Sequence, residues 1–555
     1  MKSKYLFLAT IFYISFIFCQ EDFDVDINNF YQPASNNPFI TLDPSCNTCF
    51  IMDIYNPNIL IDYEIIDIKV NSSTLSPMGT YRISPFYLGF VKDTISSTAF
   101  EHNRGDYGYY DNVIFLNNKY ANHLSSFVMI QGRKYDGLQS INSNSDILQN
   151  YFLNITKHYP KLSKSNFYGS VSTSLMYHKE NISIPVYNYG SYNRKSNSYL
   201  NGFSVIANYS NIFKFKTSLS SQLTRGNHYL GLNLDEYTHW VNSEIHFQIN
   251  DNISVTSLFN NKQNAIQNTD YSKISLNQFF LMGKINYEKI FFDFGVSYHY
   301  TEMVNAMPRF NFYLGYKIKD FLSISLNKKT TSFINRNYII IDNLIFDSQP
   351  INLIDRYSIK INYANKLFSL MAEPFYLNDY FYIGNEQTDI NSDSNYKSKI
   401  RGLNASLSFN SNYIVGNIKS GFYESENSIP INFYANYSLI FSPKINNKRF
   451  RPFIGIDGVY MNLNSSSYID MTFNNENNSL YPFINLSDLS IDSFDTPYIK
   501  NTSLINFKLG LILNRFKISY HWINQLDEQV LFSFSENYQS IAPFSKLQVT
   551  WQFLD

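Results

Sequence analysis

The segment Ile290 to Tyr300, with the sequence IFFDFGVSYHY, alternates between two kinds of residue. One set of alternate positions is apolar and aromatic and the other is mostly polar, which is the period of two of a β-strand. A strand of about 9–11 residues that is tilted by about 45° crosses the hydrocarbon layer of a membrane, and this segment has that length. The pattern predicts a transmembrane strand with lipid on one face and water on the other.

The same alternation recurs from about Ser125 to the end of the chain. The clearest further examples are Phe167 to Tyr177, Phe213 to Leu219, Ile245 to Ile249, Phe310 to Ile318, Leu322 to Leu326, Tyr357 to Tyr363, Leu403 to Phe409, Ile431 to Phe441, Ile505 to Leu511 and Phe516 to Trp522. Tight polar turns are predicted at Glu180-Asn181, Ser210-Asn211, Asn250-Asp251, Glu288-Lys289, Lys319-Asp320, Asn365-Lys366, Ser411-Asn412 and Asn514-Arg515. Long connections are predicted at Lys329 to Asp355, Leu377 to Lys399 and Met461 to Asn501.

Short turns at one end of the strands and long connections at the other are typical of outer-membrane barrels, whose short turns face the periplasm. The predicted fold is therefore all-β: a transmembrane antiparallel β-barrel of about 18–22 strands, with short periplasmic turns and long extracellular loops. A β-propeller or a solenoid would show a fixed repeat length, but the spacing between the tight turns varies. A soluble β-sandwich would expose fewer aromatic side chains.

Composition agrees with a membrane barrel. Aromatic residues make up 17% of the chain, with 46 Tyr and 48 Phe, whereas charged residues make up only 16%. A soluble surface usually carries about 25–35% charged residues, while aromatic residues concentrate at the two interfaces of a membrane barrel. The formal net charge is −1, so there is no basic excess for nucleic acid and that class of partner is excluded.

The N-terminus has the layout of a secretory signal peptide: Lys2 and Lys4 precede an apolar run from Tyr5 to Phe18. This run is shorter than the roughly 20 residues of a transmembrane helix. We therefore divide the chain into a signal peptide at residues 1–20, an N-terminal segment at 21–121 and a barrel at 122–555, located in the cell outer membrane. The N-terminal segment is expected to be periplasmic or to enter the lumen, as a partial plug or as the first strands.

Three cysteines are present, and Cys19 is expected to leave with the signal peptide. Cys46 and Cys49 remain, and outside the cytoplasm a small disulfide between them is the leading interpretation, with free thiols as the alternative. A zinc site would need two further ligands nearby, and the sequence offers none. No cofactor is predicted.

Basic residues dominate the positions expected to face the lumen, where the acidic ones are Glu244, Asp293 and Glu373. The basic set consists of Lys214, Lys216, Arg309, Lys317, Lys360, Lys419, Lys508 and Lys517. Rings of basic side chains favour the passage of anions. Several of these residues are close to predicted short turns, so they could instead mark the periplasmic rim.

The nine histidines show no pair with metal-binding helix spacing, and no Gly-x-Ser-x-Gly motif accompanies them. His299 and His521 fall on the polar faces of their strands, where a hydrated lumen histidine is the simpler interpretation. An enzyme embedded in a barrel would assemble its catalytic groups across strands, which sequence spacing cannot reveal. We predict that the protein is not an enzyme, with no catalytic or metal-binding residues.

The last strand places Leu547, Val549, Trp551 and Phe553 on one face. This ending resembles the terminal aromatic signal by which the outer-membrane barrel assembly machinery recognises its substrates, which implies that machinery and outer-membrane lipids as partners. The segment from about Ser125 to Asp555 resembles the barrel portion of TonB-dependent receptors and related porins. Ile65 to Val70 resembles a plug strand, but Asn71-Ser72 replaces the Gly-Pro of receptors, and no full plug or TonB-contact segment is recognisable.

Two classes of function follow from these observations. The first is a channel or transporter for a small solute, either porin-like or similar to a TonB-dependent receptor. The alternative is a surface barrel that transports nothing and acts in adhesion, in anchoring or as the partner of another envelope protein. The sequence does not identify the solute.

Overall fold

The computed structural model is all-β in the part of the chain that it describes. The described residues are 41–42, 50–51, 75–76, 79–80, 97–106, 108–120, 123–135, 146–160, 166–186, 190–210, 212–229, 232–267, 272–301, 307–334, 351–382, 396–425, 431–443, 450–463, 471–474, 479–482, 502–513, 515–523 and 544–554. Within these ranges the structure contains no candidate for a membrane-spanning helix.

The strands of the first half of the chain are β1 Thr41–Leu42, β2 Phe50–Ile51, β3 Leu75–Ser76, β4 Gly79–Thr80, β5 Ser97–Gly105, β6 Tyr110–Tyr120, β7 Leu124–Tyr135, β8 Asp146–Tyr159, β9 Phe167–Val186, β10 Gly190–Tyr209, β11 Phe213–Tyr229, β12 Leu232–Gln248, β13 Ile253–Gln267 and β14 Ser272–Tyr287. Those of the second half are β15 Ile290–Thr301, β16 Met307–Lys319, β17 Leu322–Ile334, β18 Ile351–Ala364, β19 Phe368–Tyr382, β20 Tyr396–Asn410, β21 Ile414–Ser425, β22 Ile431–Phe441, β23 Phe450–Leu463, β24 Met471–Asn474, β25 Ser479–Pro482, β26 Thr502–Leu513, β27 Phe516–Ile523 and β28 Phe544–Leu554.

Strands β5–β23 and β26–β28 form one closed barrel of 22 antiparallel strands. The last strand, β28, pairs with β27 on one side and with β5 on the other. Closure removes the unpaired strand edges, whose backbone groups lipid could not satisfy. The predicted fold class is confirmed, and the strand number lies at the upper end of the predicted range.

Alternation in β15 sets the two faces of the barrel wall. Phe294 and Tyr298 are exposed on the outward face (50% and 44%), whereas Ser297 and His299 are buried on the inward face (0% and 4%). The predicted orientation of this strand is confirmed. Because outward positions of the other barrel strands also expose Phe, Tyr, Leu and Ile, the wall presents an apolar belt of the kind that outer-membrane barrels place in lipid.

The described barrel begins at Ser97 rather than at the predicted residue 122. Strands β5 and β6 therefore come from the segment 21–121, for which first strands were one expectation. Their outward faces are more polar than those of later strands. His102 Nδ1 and Asn112 Oδ1 lie 2.6 Å apart there, on adjacent strands. These two polar residues weaken the apolar alternation that identifies the other strands in the sequence.

One predicted tight turn is wrong. Glu180 and Asn181 lie inside β9, which continues to Val186 and pairs with β10 up to Gly190. Charged and amide residues in that stretch suggested a turn, but a strand that extends beyond the membrane can carry polar residues on both faces.

The tight turns Asn250-Asp251 and Asn365-Lys366 have a common local cause. Asn250 Oδ1 accepts hydrogen bonds from the backbone N of Asn252 at 2.9 Å and of Ile253 at 2.8 Å. Asn365 Oδ1 accepts the equivalent pair from residues 367 and 368, both at 2.8 Å. An Asn side chain that bonds the backbone two residues on stabilises a turn, which explains why Asn-containing pairs at these positions predicted the turns correctly.

Candidate functional site on the inner face of the barrel

The inner face of the barrel carries the basic residues that the sequence singled out. Strand alternation places all eight opposite the exposed apolar positions, including Lys214, Lys216, Lys419 and Lys508. Except for Arg309, each of them lies in the half of its strand that ends at a short turn. The structure therefore groups seven of the eight in the periplasmic half of the lumen.

Several of these basic side chains have acidic partners across neighbouring strands. Lys216 Nζ lies 3.0 Å from Glu244 Oε2, and Lys508 Nζ lies 2.7 Å from Asp457 Oδ1. Lys317 Nζ lies 3.1 Å from Asp320 Oδ1, in the adjoining turn. Lys216 and Lys508 are therefore paired across neighbouring strands, and Lys317 is paired with its own turn.

A polar cluster lies where the last strands meet the first strand. Gln548 Nε2 on β28 donates to Glu101 Oε1 on β5 at 2.8 Å. Asn103 Nδ2 donates to the same oxygen at 2.9 Å, and Glu101 is only 8% exposed. On the next strands, Asn506 Nδ2 donates to Asp457 Oδ2 at 3.1 Å. These bonds hold β23, β26, β28 and β5 together on the inside of the wall.

Apolar side chains also lie on the inner face near the short turns. Ile440, Phe453 and Ile512 are all buried and form one cluster on β22, β23 and β26. The Lys517 Nζ lies 5.6 Å from the centroid of the Phe453 ring, which is within the range of a cation–π contact.

The barrel wall separates between β16 and β17 in its outer half. Their ladder ends at the pair Phe312 and Lys328, although β16 extends to Met307 on the outer side and β17 extends to Ile334. Beyond that point β16 pairs only with β15, and β17 pairs only with β18.

The outer part of β17 turns inward from this point. The backbone N of Thr330 donates to Asn311 Oδ1 at 2.7 Å, and Asn311 Nδ2 in turn donates to Ser297 Oγ at 2.9 Å on the inner face of β15. Strands β14 and β17 also contact each other, although β15 and β16 lie between them in the sheet. The residues 329–334 of β17, 351–355 of β18 and 378–382 of β19, which we call the infolded segment, therefore lie over the inner face of β14–β16.

Charged and polar side chains join the infolded segment to the wall beneath it. Arg309 Nη1, on β16, lies 3.6 Å from Asp355 Oδ2, and the Arg309 guanidinium lies 5.5 Å from the centroid of the Tyr380 ring. Thr330 Oγ1 donates to Asp355 Oδ1 at 2.5 Å. Thr330 and Asp355 occupy positions that the alternation of their strands would place outward, yet they are 0% and 3% exposed. Burial of these outward positions is the consequence of folding into the lumen.

A second ion pair lies immediately below the infolded segment. Arg356 Nη2 is 3.0 Å from Glu373 Oε1, with side-chain exposures of 14% and 7%. The Arg356 guanidinium also lies 4.8 Å from the centroid of the Phe375 ring. Among the residues that form these contacts around Arg309 and Arg356, sequence reasoning identified Arg309 and Glu373. It missed Asp355, Arg356 and Tyr380, because all three fall in or at the edge of stretches assigned to long connections.

The terminal strand occupies the position that closes the barrel. Leu547 and Trp551 are exposed on its outward face (38% and 45%), and the Trp551 and Phe553 ring centroids are 4.4 Å apart. The Trp551 ring also contacts Phe516 of β27 edge to face. Cys46 and Cys49 lie outside the described residues, so their disulfide stays a prediction. Among the described side chains, no group of three His, Cys, Asp or Glu residues is arranged to hold a metal ion.

Comparison with known proteins gives similarity of fold only. No protein-family model and no curated protein sequence matches the chain. Among solved structures, the FrpB iron transporter of Neisseria meningitidis (F3-3 variant) is similar with a TM-score of 0.60 and 9% identity, over 85% of this chain and 84% of that chain. The siderophore receptor PirA of Pseudomonas aeruginosa gives 0.56 and 7% identity, over 83% and 80%. The alcaligin outer-membrane receptor FauA of Bordetella pertussis gives 0.51 and 9% identity, over 82% and 76%.

Proposed function

We propose that the protein is an outer-membrane transporter that takes up a small solute through its lumen and recognises that solute before passage. The inner face supports the proposal: it carries charged pairs, and the infolded segment covers its outer half at β14–β16. A general pore needs an open path, whereas a charged lumen that is partly covered suits a solute that is bound first. Similarity to barrels described as transporters and receptors supports the same proposal.

The solute that the inner face suits best is a small anion or an anionic metal chelate. Basic residues outnumber acidic ones in the periplasmic half of the lumen, and an excess of positive charge along a lumen favours anions. Two of the similar structures are described as an iron transporter and a siderophore receptor. Iron chelates are therefore the first class of solute to test.

A second part of the proposal concerns where the residues of the N-terminal segment that precede the barrel lie. Residues 21–96 contain ten acidic and three basic residues, and they precede β5, whose first residue lies at the short-turn end of the barrel. The basic residues of the inner face concentrate at that same end. We propose that part of this segment lies in the periplasmic mouth of the lumen, where opposite charges attract. Deletion of residues 22–76 is expected to raise single-channel conductance, and unchanged conductance of a folded barrel would make the segment a periplasmic tail.

Solute binding is tested with the purified full-length protein in lipid nanodiscs. The probes are the ferric complexes of a trihydroxamate and of a tris-catecholate, with the iron-free chelators alongside, and the measurement is quenching of tryptophan fluorescence. A ferric chelate is expected to bind with a dissociation constant of about 1 μM or below. Lys216→Gln and Lys419→Gln are expected to weaken binding, and Lys366→Gln, in a short turn, is the matched control.

The result that would contradict a ferric chelate as the solute is failure of both ferric chelates to bind, together with failure of either to enter vesicles that contain the protein. Binding that Lys366→Gln weakens as much as Lys216→Gln does would instead contradict the location of the site on the inner face.

A further inference from the structure

Strands β16 and β17 have a pairing register that their outer parts do not use. The ladder between them pairs Phe312 with Lys328 and ends there, although both strands continue outward. The same register, continued by two residues on each strand, would pair Phe310 with Thr330. We call this alternative, with the outer part of β17 beside β16 in the wall, the paired arrangement.

The backbone of β16 is suited to only part of that continued ladder. The backbone N of Lys317 donates to Lys289 O on the β15 side at 2.8 Å. Alternate residues of a strand direct their backbone groups to opposite sides, so those of Pro308 and Phe310 point toward β17. Phe310 offers a donor and an acceptor there, but Pro308 has no N–H and offers an acceptor only. The paired arrangement therefore gains fewer hydrogen bonds than an ordinary ladder, which keeps the infolded segment competitive with it.

Side-chain contacts hold the infolded segment in place of the missing ladder. Asn311 Oδ1 accepts a hydrogen bond from the backbone N of Thr330 at 2.7 Å, and Asp355 Oδ1 accepts one from Thr330 Oγ1 at 2.5 Å. Asp355 Oδ2 lies 3.6 Å from Arg309 Nη1. Of these three contacts, the ion pair is the one that an external anion can replace, because an anion offers the guanidinium the same kind of partner.

The Arg309–Asp355 pair is looser and more accessible than the ion pair below it. The Arg309 side chain is 26% exposed and that of Asp355 is 5% exposed. Arg356 and Glu373, in contrast, lie 3.0 Å apart, and the Arg356 side chain is 14% exposed. A solute in the outer half of the lumen therefore has access to the Arg309 guanidinium.

We propose that Arg309 receives an anionic group of the solute in place of Asp355, and that this exchange releases the infolded segment into the paired arrangement beside β16. The inference rests on the proposed transport of an anionic solute. A ligand shifts an equilibrium between two arrangements only by its difference in affinity for them. Here the solute gains the guanidinium only when Asp355 leaves it, so solute binding and release of the segment are coupled.

The released position is suited to the Asp355 side chain. Asp355 lies opposite Thr330 in the β17–β18 ladder, so pairing of Thr330 with Phe310 would place the carboxylate on the outward face. Tyr298 lies opposite Pro308, two residues farther out than Phe310, and is exposed on that face. Exposed tyrosines mark the membrane interface, so water near this level solvates the released carboxylate.

The test traps the paired arrangement with a disulfide in the full-length protein in lipid nanodiscs. The reporter pair is Phe310→Cys with Thr330→Cys. Phe310 is 68% exposed on the outward face, whereas Thr330 is 0% exposed on the inner side of the wall, so the two thiols meet only in the paired arrangement. The control pair is Phe294→Cys with Phe312→Cys, which are opposite each other in the β15–β16 ladder. Mass spectrometry of linked peptides after mild oxidation distinguishes each disulfide from the native cysteines.

The probes are a ferric tris-catecholate, which is strongly anionic, and an uncharged ferric trihydroxamate. We expect the anionic complex to raise the rate of the reporter disulfide about tenfold and the uncharged complex to leave it unchanged. The control disulfide should form at the same rate with and without either probe. Heat-modifiable mobility on gels identifies folded protein in each case.

Variants in the reporter background separate the exchange at Arg309 from general loosening of the barrel. Arg309→Gln is expected to raise the reporter rate without any probe and to remove the response to the anionic complex. Arg309→Lys keeps the charge and should keep the response. Asp355→Asn, which removes the charge at nearly constant size, is a second variant with the same expected rise and provides the measurement if Arg309→Gln does not fold.

An unchanged reporter rate with the anionic complex would overturn the inference, as would an equal rise with the uncharged complex. If the anionic complex still quenches tryptophan fluorescence while the reporter rate stays unchanged, the proposed solute binding stands and only the exchange at Arg309 fails. A rise in the reporter rate without entry of the complex into vesicles would support the exchange and contradict transport of that complex.

Discussion

Two regions of the barrel leave the membrane in opposite ways. One region consists of the hairpins β9–β10 and β11–β12, and the other consists of strands β15–β19. Strands β9 and β10 contain 20 residues each and remain paired along their whole length. Strands β15 and β16 contain only 12 and 13 residues, and beside them the outer ends of β17–β19 turn into the lumen. One region continues the wall into water and the other bends over its own inner face.

The sequences of the two regions explain the difference. The outer part of β9 and β10 reads KENISIPV and GSYNRKSN, with polar residues on both faces, and such strands are stable in water. The outer part of β17–β19 reads TTSFI, INLID and NDYFY, which is more apolar and carries one buried acid, Asp355. Above the membrane no lipid covers apolar residues, and Leu353 of β18 is withdrawn from water there, with 2% exposure.

The largest expected effect on the difference between the two regions comes from removing Asp355. Asp355→Ala removes the buried carboxylate that lies beside Arg309 and accepts a hydrogen bond from Thr330, and breaking a buried ion pair typically costs about 3–5 kcal/mol. We expect a loss of that size in the unfolding free energy in lipid vesicles, together with a higher single-channel conductance as the infolded segment releases. The control is Asp235→Ala on β12. It removes the partly exposed partner of Arg225 and should change neither the unfolding free energy nor the conductance. Equal effects of the two variants would show that the infolded segment is not held by this contact.

Within the membrane we expect the two regions to respond alike to a charge on the outward face, so that they differ only above the membrane. Phe294 on β15 and Phe203 on β10 are 50% and 47% exposed on the outward face. Arg at either position should cost about 2–4 kcal/mol, because a charge near the middle of a membrane is poorly solvated. Asn417→Arg is the inward control, since Asn417 is exposed on the inner face next to outward Ile418. Ser297 is unsuitable as a control because Asn311 and His299 cover it. A cost that differs strongly between β10 and β15 would contradict a common membrane register.

The sequence predicted the part of the fold that lipid determines. Alternation identified β15, β16 and β27, because a membrane imposes one apolar face on every strand. It did not identify the infolded segment, since Asp355 is buried and Tyr380 is half-buried through contacts with strands that lie elsewhere in the chain. A local sequence pattern does not reveal contacts between strands that are distant in the chain. The outer ends of β18 and β19 were assigned to long connections for that reason, and their ion pairs were missed with them.

A smaller effect tests the close packing beneath the infolded segment. Gly402 of β20 lies opposite Phe375 of β19, and a Cβ at this glycine would lie 2.7 Å from Phe375 Cζ and 2.5 Å from the backbone O of Phe422. Gly402→Ala must displace the ring that packs on Arg356, so we expect a loss of about 1–3 kcal/mol in unfolding free energy. Gly132→Ala is the control, because a methyl group added to this glycine of β7 would meet no atom within 4 Å. Equal stability of the two variants would show that the Phe375 ring and the backbone at Phe422 can both shift to make room for the methyl group.

The smallest expected effect separates exposed from buried charge. Arg401 and Glu424 form a two-pronged pair at 2.8 and 2.6 Å at the outer ends of β20 and β21, but their side chains are 70% and 54% exposed. Arg356 and Glu373 are 14% and 7% exposed. Salt at about 1 M shortens the screening length to about 3 Å, which weakens exposed pairs far more than buried ones. In double-mutant cycles with alanine, we expect the Arg401–Glu424 coupling to vanish between low and high salt while the Arg356–Glu373 coupling persists. Loss of both couplings in salt would mean that water reaches the Arg356–Glu373 pair beneath the infolded segment. The lumen would then be open at this level, where the infolded segment is expected to fill it.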